Sequence, residues 1–199
     1  MDKSATTILP ASTILAGEMT ELSDCTSAVD TSRSTELVFS IKATVNAAAT
    51  GTLTLYVYSS TDNSTYDTQE YDSWVIPNCR QVDYDAGTAS FVIGETVTSA
   101  SSGTATVKNF TITSGSFAGN DAAGVVYLED ISGTFANDDS LTGGTNGAAT
   151  QDGTIDAHSM VRTYFPTTTT PLYYQLKVAN GDTGYSLTNV SVIATKRNL

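Results

Sequence analysis

The chain has 199 residues, 21 acidic and 9 basic, and a formal net charge of −12. That charge repels nucleic-acid phosphate, and no apolar run approaches the roughly 18 residues that would cross a bilayer. Charged residues make up only 15%, while Thr and Ser number 34 and 22; with 40% hydrophobic residues and ten Tyr, the chain can bury a core and offset its ordering entropy.

In chain order, Met1 to Pro10 shows no basic segment followed by a long apolar stretch. The expectation is a protein made in a cytoplasm and not exported by the general route. Ile8-Leu9-Pro10 and Thr13-Ile14-Leu15 are weakly apolar, and 18–33 is polar with small residues. Residues 1–34 fit either an arm lying on a neighbouring subunit or the first edge strands of a sandwich, and the sequence leaves both open. Cys25 and Cys79 lie 54 positions apart, without metal-ligand spacing, and are expected as two free, partly buried thiols.

Helical periodicity is nearly absent, and β-branched, alternating runs dominate. In Leu37 to Val45 the residues Leu37, Phe39, Ile41, Ala43 and Val45 share one face. After a turn at 47–51, Thr52 to Tyr58 returns with Leu53, Leu55 and Val57 on one face. The two read as an antiparallel pair with one buried face. Residues 59–64 are a polar turn cluster. Near the other end, Leu172 to Val178 and Leu187 to Ala194 read as strands about a turn at 180–184. Pro166, Thr167 to Thr170 and Pro171 read as a stiff, exposed connector.

The middle differs. From Tyr84 to Asp156 there are nine acidic residues and one basic, Lys108. This segment also repeats itself at an offset of 44. Phe91, Glu95 and Gly103 align with Phe135, Asp139 and Gly147, and Val97-Thr98 aligns with Leu141-Thr142. Gly suits a left-handed turn between short strands. Neither half can bury a core alone, so the halves should pack on each other. Gly124 to Leu128 adds a strand between them. A structureless loop of this length is improbable in a compact domain. The fold class is therefore all-β: an antiparallel β-sandwich, jelly-roll or Ig-like, over 35–87 plus 153–199. A small acidic, barrel-like β-domain over 88–152 is inserted into it.

Catalytic chemistry is sparse. His158 is the single histidine and sits at a strand start, where a structural or solvent-facing role outweighs a general base. The neighbours in Glu129-Asp130 and in Asp138-Asp139 point to opposite faces if extended, so neither pair forms an acid/base couple. Asp138 and Asp139 lack the spaced oxygen ligands of a calcium loop and suit a turn. Gly143 to Gly147 has no Lys for phosphate and reads as a hairpin turn. The glycosylation-like patterns at Asn63, Asn109 and Asn189 are chance matches. The expected catalytic, cofactor and metal residues are none. Tyr56, Tyr58, Tyr66 and Trp74, with Tyr71, form an aromatic neighbourhood suited to core or interface contact, or to stacking on sugars.

The stretch Leu55 to Thr68 resembles the strand and Ser-x-Asp-Gly-x-x-Tyr/Trp hairpin of tailed-bacteriophage β-sandwich structural proteins. Tyr173 to Asn180 resembles their later Tyr-x-x-Leu-x-Val-x-Asn strand. Gly94 to Ala105 is similar to small β-modules of phage capsid and tail proteins. The likeness departs from the pattern at Asn63, where Gly is preferred. It implies a non-enzymatic virion protein, foremost a capsid decoration protein that binds the major capsid protein or other virion proteins and stabilises the shell. It further implies a symmetric homo-oligomer such as a trimer, with no nucleic-acid or membrane partner, made in the host cytoplasm and carried in the virion. A tail, neck or fibre component is a second placement in the same class, and a carbohydrate-binding module is the rival from another class.

Overall fold

The computed structural model describes residues 3–26, 28–32, 34–164 and 173–198. The connector at 166–171 lies outside them. The strands are β1 (Lys3–Ile14), β2 (Val29–Asp30), β3 (Ser34–Val45), β4 (Leu53–Ser60), β5 (Asp72–Ile76), β6 (Arg80–Ala89) and β7 (Thr96–Ser99). They continue as β8 (Thr104–Ser114), β9 (Ala122–Ser132), β10 (Ser140–Gly143), β11 (Ala148–Asp156), β12 (His158–Tyr164), β13 (Tyr173–Asn180) and β14 (Leu187–Asn198). The chain divides into two compact units: 1–44, 51–76 and 159–199 form one, and 45–50 with 77–158 form the other.

The first unit is an antiparallel sandwich of two four-stranded sheets, ordered β1-β14-β3-β12 and β2-β13-β4-β5. Alternation dictates what each strand buries. Leu37, Phe39, Ile41 and Ala43 point inward from β3, and Leu53, Leu55 and Val57 from β4. These strands do not pair with each other as the sequence suggests. β3 pairs with β14 and β4 with β13, so they face each other from opposite sheets. Two strands with matching apolar faces satisfy a hairpin and a sheet-to-sheet crossing equally well, and the 46–52 segment makes the crossing. Phe39 sits 6.3 Å from Trp74 and 6.4 Å from Tyr174, joining the two layers.

Residues 3–14 pair along β14 as an edge strand of this chain. The sandwich end is pinned by two buried side chains. Asp182 Oδ2 accepts from the Gly51 N–H at 2.8 Å, and its Oδ1 accepts from Gly184 and Tyr185 N–H at 2.9 and 2.7 Å. Asn180 Nδ2 donates to the carbonyls of Leu15 and Tyr185 at 3.1 and 2.8 Å. Gly51 is required there, because a Cβ would strike the Gly181–Asp182 backbone.

The second unit is a closed six-stranded barrel, ordered β10-β11-β6-β9-β8-β7. It interrupts the sandwich between β5 and β12. Its boundaries lie at 77 and 158, outside the 88 and 152 read from the sequence, because β6 and the far part of β11 belong to its wall. The barrel is built from two three-stranded repeats, β6-β7-β8 and β9-β10-β11, at the offset of 44. Tyr84 pairs with Gln151 as Leu128 pairs with Val107. Thr98 pairs with its own counterpart Thr142, and Val82 with its counterpart Val126. The repeats are thus related by an approximate two-fold axis through the β7–β10 and β6–β9 seams. Core residues follow the same correspondence: Val82 and Val126, Phe91 and Phe135, Val97 and Leu141, Ala105 and Ala149.

Excision of 77–158 with a short Gly/Ser joint should leave a cooperative thermal melt, since all eight strands of the sandwich sheets remain paired. Excision of only 88–152 leaves most of β6 without its barrel partners and should give a soluble aggregate or a lost transition. Calorimetry of the two deletions reads the difference.

Candidate functional site

The repeat hallmarks converge on the barrel's two-fold axis. The Glu95 carboxylate, 5% exposed, reaches into the turn of the other repeat. Its Oε2 accepts from Thr145 and Asn146 N–H at 2.9 and 3.0 Å. Its Oε1 accepts from Val92 N–H at 2.8 Å and Gly147 N–H at 3.3 Å. Asp139 does the reciprocal work: Oδ2 accepts from Ala136 and Ser101 N–H at 3.0 and 3.2 Å, and Oδ1 from the Ser101 hydroxyl at 2.9 Å. Each carboxylate therefore closes its own turn and clamps its partner's.

The glycines complete the arrangement. A Cβ at Gly147 would meet the Phe91 ring and Glu95, and one at Gly103 would meet the Phe135 ring and the Thr134 carbonyl. The six residues Phe91, Glu95, Gly103, Phe135, Asp139 and Gly147 form one structural lock made twice. The turn at 143–147 is the hairpin expected, and its donors serve a carboxylate rather than a phosphate.

Burial pushes the Glu95 carboxyl up, but the N–H groups of Val92, Asn146, Thr145 and Gly147 outweigh it and hold it below its ordinary value near 4.5. Asp139 is also held low, first by the Ala136 N–H, against burial, and then by Ser101 and Ser99. Among the described residues, no group of three or more His, Cys, Asp or Glu is placed to hold a metal ion.

The other singled-out residues lie apart. His158 Nδ1 is 3.2 Å from Gln81 Oε1, and its ring packs 4.9 Å from Tyr127. Arg80, 4% exposed, donates from Nη1 to the Ala47 carbonyl at 2.6 Å and ties the 45–50 segment to the barrel. It edges an open cavity of about 380 Å³ lined also by Ile131, Phe135 and Ile155. The two cysteines are thiols not joined in a disulfide; the Cys25 thiol donates to the Leu176 carbonyl at 3.0 Å, and Cys79 is buried.

The aromatic neighbourhood divides by strand parity. Tyr56 and Tyr58 lie half-buried on the outer face of β4, with Lys177 Nζ 5.6 Å over the Tyr58 ring. Trp74 pairs with inward-facing Leu55, stacks on Tyr164 at 5.1 Å and touches Phe39, so it is turned to the core. No shared platform of Tyr56, Tyr58 and Trp74 results. Tyr66 belongs to the 60–66 turn, where its hydroxyl donates to Asn63 Oδ1 at 2.8 Å. Asp62 Oδ1 organises that turn by accepting from the Ser60 hydroxyl and from Ser64 and Thr65 N–H, each at 2.9 Å. Thr65 and Ser64 hold the Asp62 carboxyl far below the usual range. Asn63 has φ +59°, a left-handed geometry that Asn tolerates and Gly adopts freely.

No family model, curated protein or solved structure matches the chain.

Glu95→Gln keeps the shape but cannot accept from all four N–H groups, so it should cost about 1–3 kcal/mol at neutral pH. The native carboxylate's folded pKa lies below its unfolded value. Its contribution is therefore complete above the ordinary glutamate range and is lost as pH falls through the lower, folded value. Urea midpoints of wild type and Glu95→Gln should differ at neutral pH and draw together as pH falls through that lowered value. A gap independent of pH would mean the carboxylate charge is not what holds the turn. Gly147→Val, which places branched carbon against Phe91, should cost roughly 1–3 kcal/mol in the same assay.

Proposed function

We propose that the chain is a non-enzymatic virion structural protein, a capsid decoration protein that binds the head shell and strengthens it as a homo-oligomer, such as a trimer. The observation that carries the reading is the open side of the sandwich. There the edge strands β5 and β12 end their sheets on the same side, linked by the Trp74–Tyr164 stack. Val75 and Val161 on these strands are 65% and 58% exposed. Exposed apolar side chains on edge strands suit adhesion to another protein. The resemblance of Leu55 to Thr68 and of Tyr173 to Asn180 to phage sandwich proteins supports the same class. Repeated copies would stabilise a shell by binding its assembled state.

The inward turn of Trp74 weakens the sugar-stacking alternative, which needs that ring at the surface. A tail, neck or fibre position uses the same adhesive chemistry and differs in the partner.

Sedimentation with empty capsids of the protein's own source tests the reading. The expected result is saturable binding at a lattice-like stoichiometry, weakened about tenfold or more by Val75→Asp, which carries charge into the edge at a cost of about 1.4 kcal/mol or above. Shells that pellet without the protein at every concentration would reject decoration.

A further inference from the structure

The outward face of the β1-β14-β3-β12 sheet is unlike the rest of this acidic chain. Cross-strand register places Lys3 beside Arg197 and Glu36, Ala5 beside Thr195 and Val38, Thr7 beside Ile193 and Ser40, and Ser191 beside Lys42. Thr163 of β12 joins the third row through Ser40 at 3.4 Å, which puts Val161 on the same face. Arg197 is neutralised by Glu36 at 3.3 Å, leaving Lys3 and Lys42 as exposed cations. Between them lies a field of Thr, Ser, Val and Ile, with Ile193 itself 39% exposed. On this face the four strands carry three basic side chains, Lys3, Lys42 and Arg197, and one acidic, Glu36.

The barrel carries the opposite face. On its outer wall Asp83 of β6 stands directly opposite Asp152 of β11, with Asp85 two residues along and opposite Thr150. All three carboxylates are exposed. Like charges directly opposite across an antiparallel pair destabilise it. Beside them on the same wall, Val125 pairs with Asp83 and Thr111 with Val125. This is again a hydroxyl and β-branched surface, here with negative charge.

We propose that these two faces are complementary halves of one interface. The basic sheet face of one copy docks on the acidic β6–β11 wall of a second copy, with Lys42 and Lys3 meeting Asp83, Asp85 and Asp152. The inference deepens the reading of the chain as an assembling structural protein and rests on it. Its basis is charge complementarity: each face supplies what the other lacks, and docking relieves the Asp83–Asp152 repulsion. Two different faces make the contact heterologous, so association propagates head to tail until a ring closes or a filament grows. Charge pairs at such a contact steer encounter and weaken with salt.

Sedimentation velocity of the full chain alone, over a concentration series at low and high salt, tests this. Wild type should associate at low salt and dissociate as salt is raised. Lys42→Glu and Asp152→Lys should each weaken association about tenfold or more, while thermal melts show both folded. Mixed together, the two variants should associate again, because the intact acidic wall of Lys42→Glu meets the intact basic face of Asp152→Lys. A monomer at every concentration, or an association that neither salt nor either substitution changes, overturns the proposal. So does a dimer abolished by Lys42→Glu but untouched by Asp152→Lys, which marks a face-to-self contact. Capsid binding is read separately. A wild-type monomer that binds shells, and loses them on Lys42→Glu, overturns self-association while leaving decoration intact and assigning the sheet face to the shell.

Discussion

A buried carboxylate must satisfy its oxygens, and in this barrel two of them do so by reaching into each other's repeat. Glu95 takes four backbone N–H groups, three of them from the turn at 145–147. Asp139 takes those of Ala136 and Ser101. These turns are too short and polar to pack on their own. Without the carboxylates, their N–H groups would lose these acceptors, at a cost comparable to a lost hydrogen bond each. The lock also explains the glycines, since Phe91 and Phe135 press where a Cβ would be. Closure of the wall at the β7–β10 seam follows from it, and closure removes sheet edges from this unit altogether.

The sandwich makes the opposite choice and keeps its edges. β1 and β12 end one sheet, and β2 and β5 the other. Its inner face is tied by Phe39, Trp74 and Tyr174, while the outer face of the β1-β14-β3-β12 sheet presents Ser, Thr, Val and Ile between its few charges, and that of the other sheet presents Tyr56 and Tyr58. Replacing surface charge by Ser and Thr keeps such faces hydrated yet cheap to desolvate. The barrel unit carries ten acidic residues against two basic, and the sandwich unit eleven against seven. The contrast between a closed unit of net charge −8 and an open-edged one of net charge −4 is the physical basis for reading this molecule as a component of an assembly.

Much of this was legible in the sequence, and the failures are instructive. Alternation in 37–45 and 53–57 identifies which side chains are buried, because parity alone sets it. It does not identify the partner strand, since identical parity suits a hairpin and a facing layer. The repeat hallmarks at 91, 95 and 103 and at 135, 139 and 147 are legible because a turn lock demands specific residue types. The first strand of each repeat is not, because Val82-Asp83-Tyr84-Asp85 and Val126-Tyr127-Leu128-Glu129 share only apolar parity and one acidic position, so the insert looks shorter than it is. Trp74 looks like an outward platform beside Tyr56 and Tyr58 until the register of β5, a five-residue strand without clear sequence signals, turns it inward. The donors at 145–147 leave no side-chain trace because they are backbone groups.

Hydrogen exchange at single amides tests the lock most directly. The N–H groups of Thr145, Asn146 and Gly147 lie in a surface turn, and ladder hydrogen bonds do not account for the first two. The account predicts that they are protected to the same degree as the barrel strands, and that they open only with the barrel as a whole. Exchange at the rate of an exposed loop, with the strands on either side still protected, would contradict it.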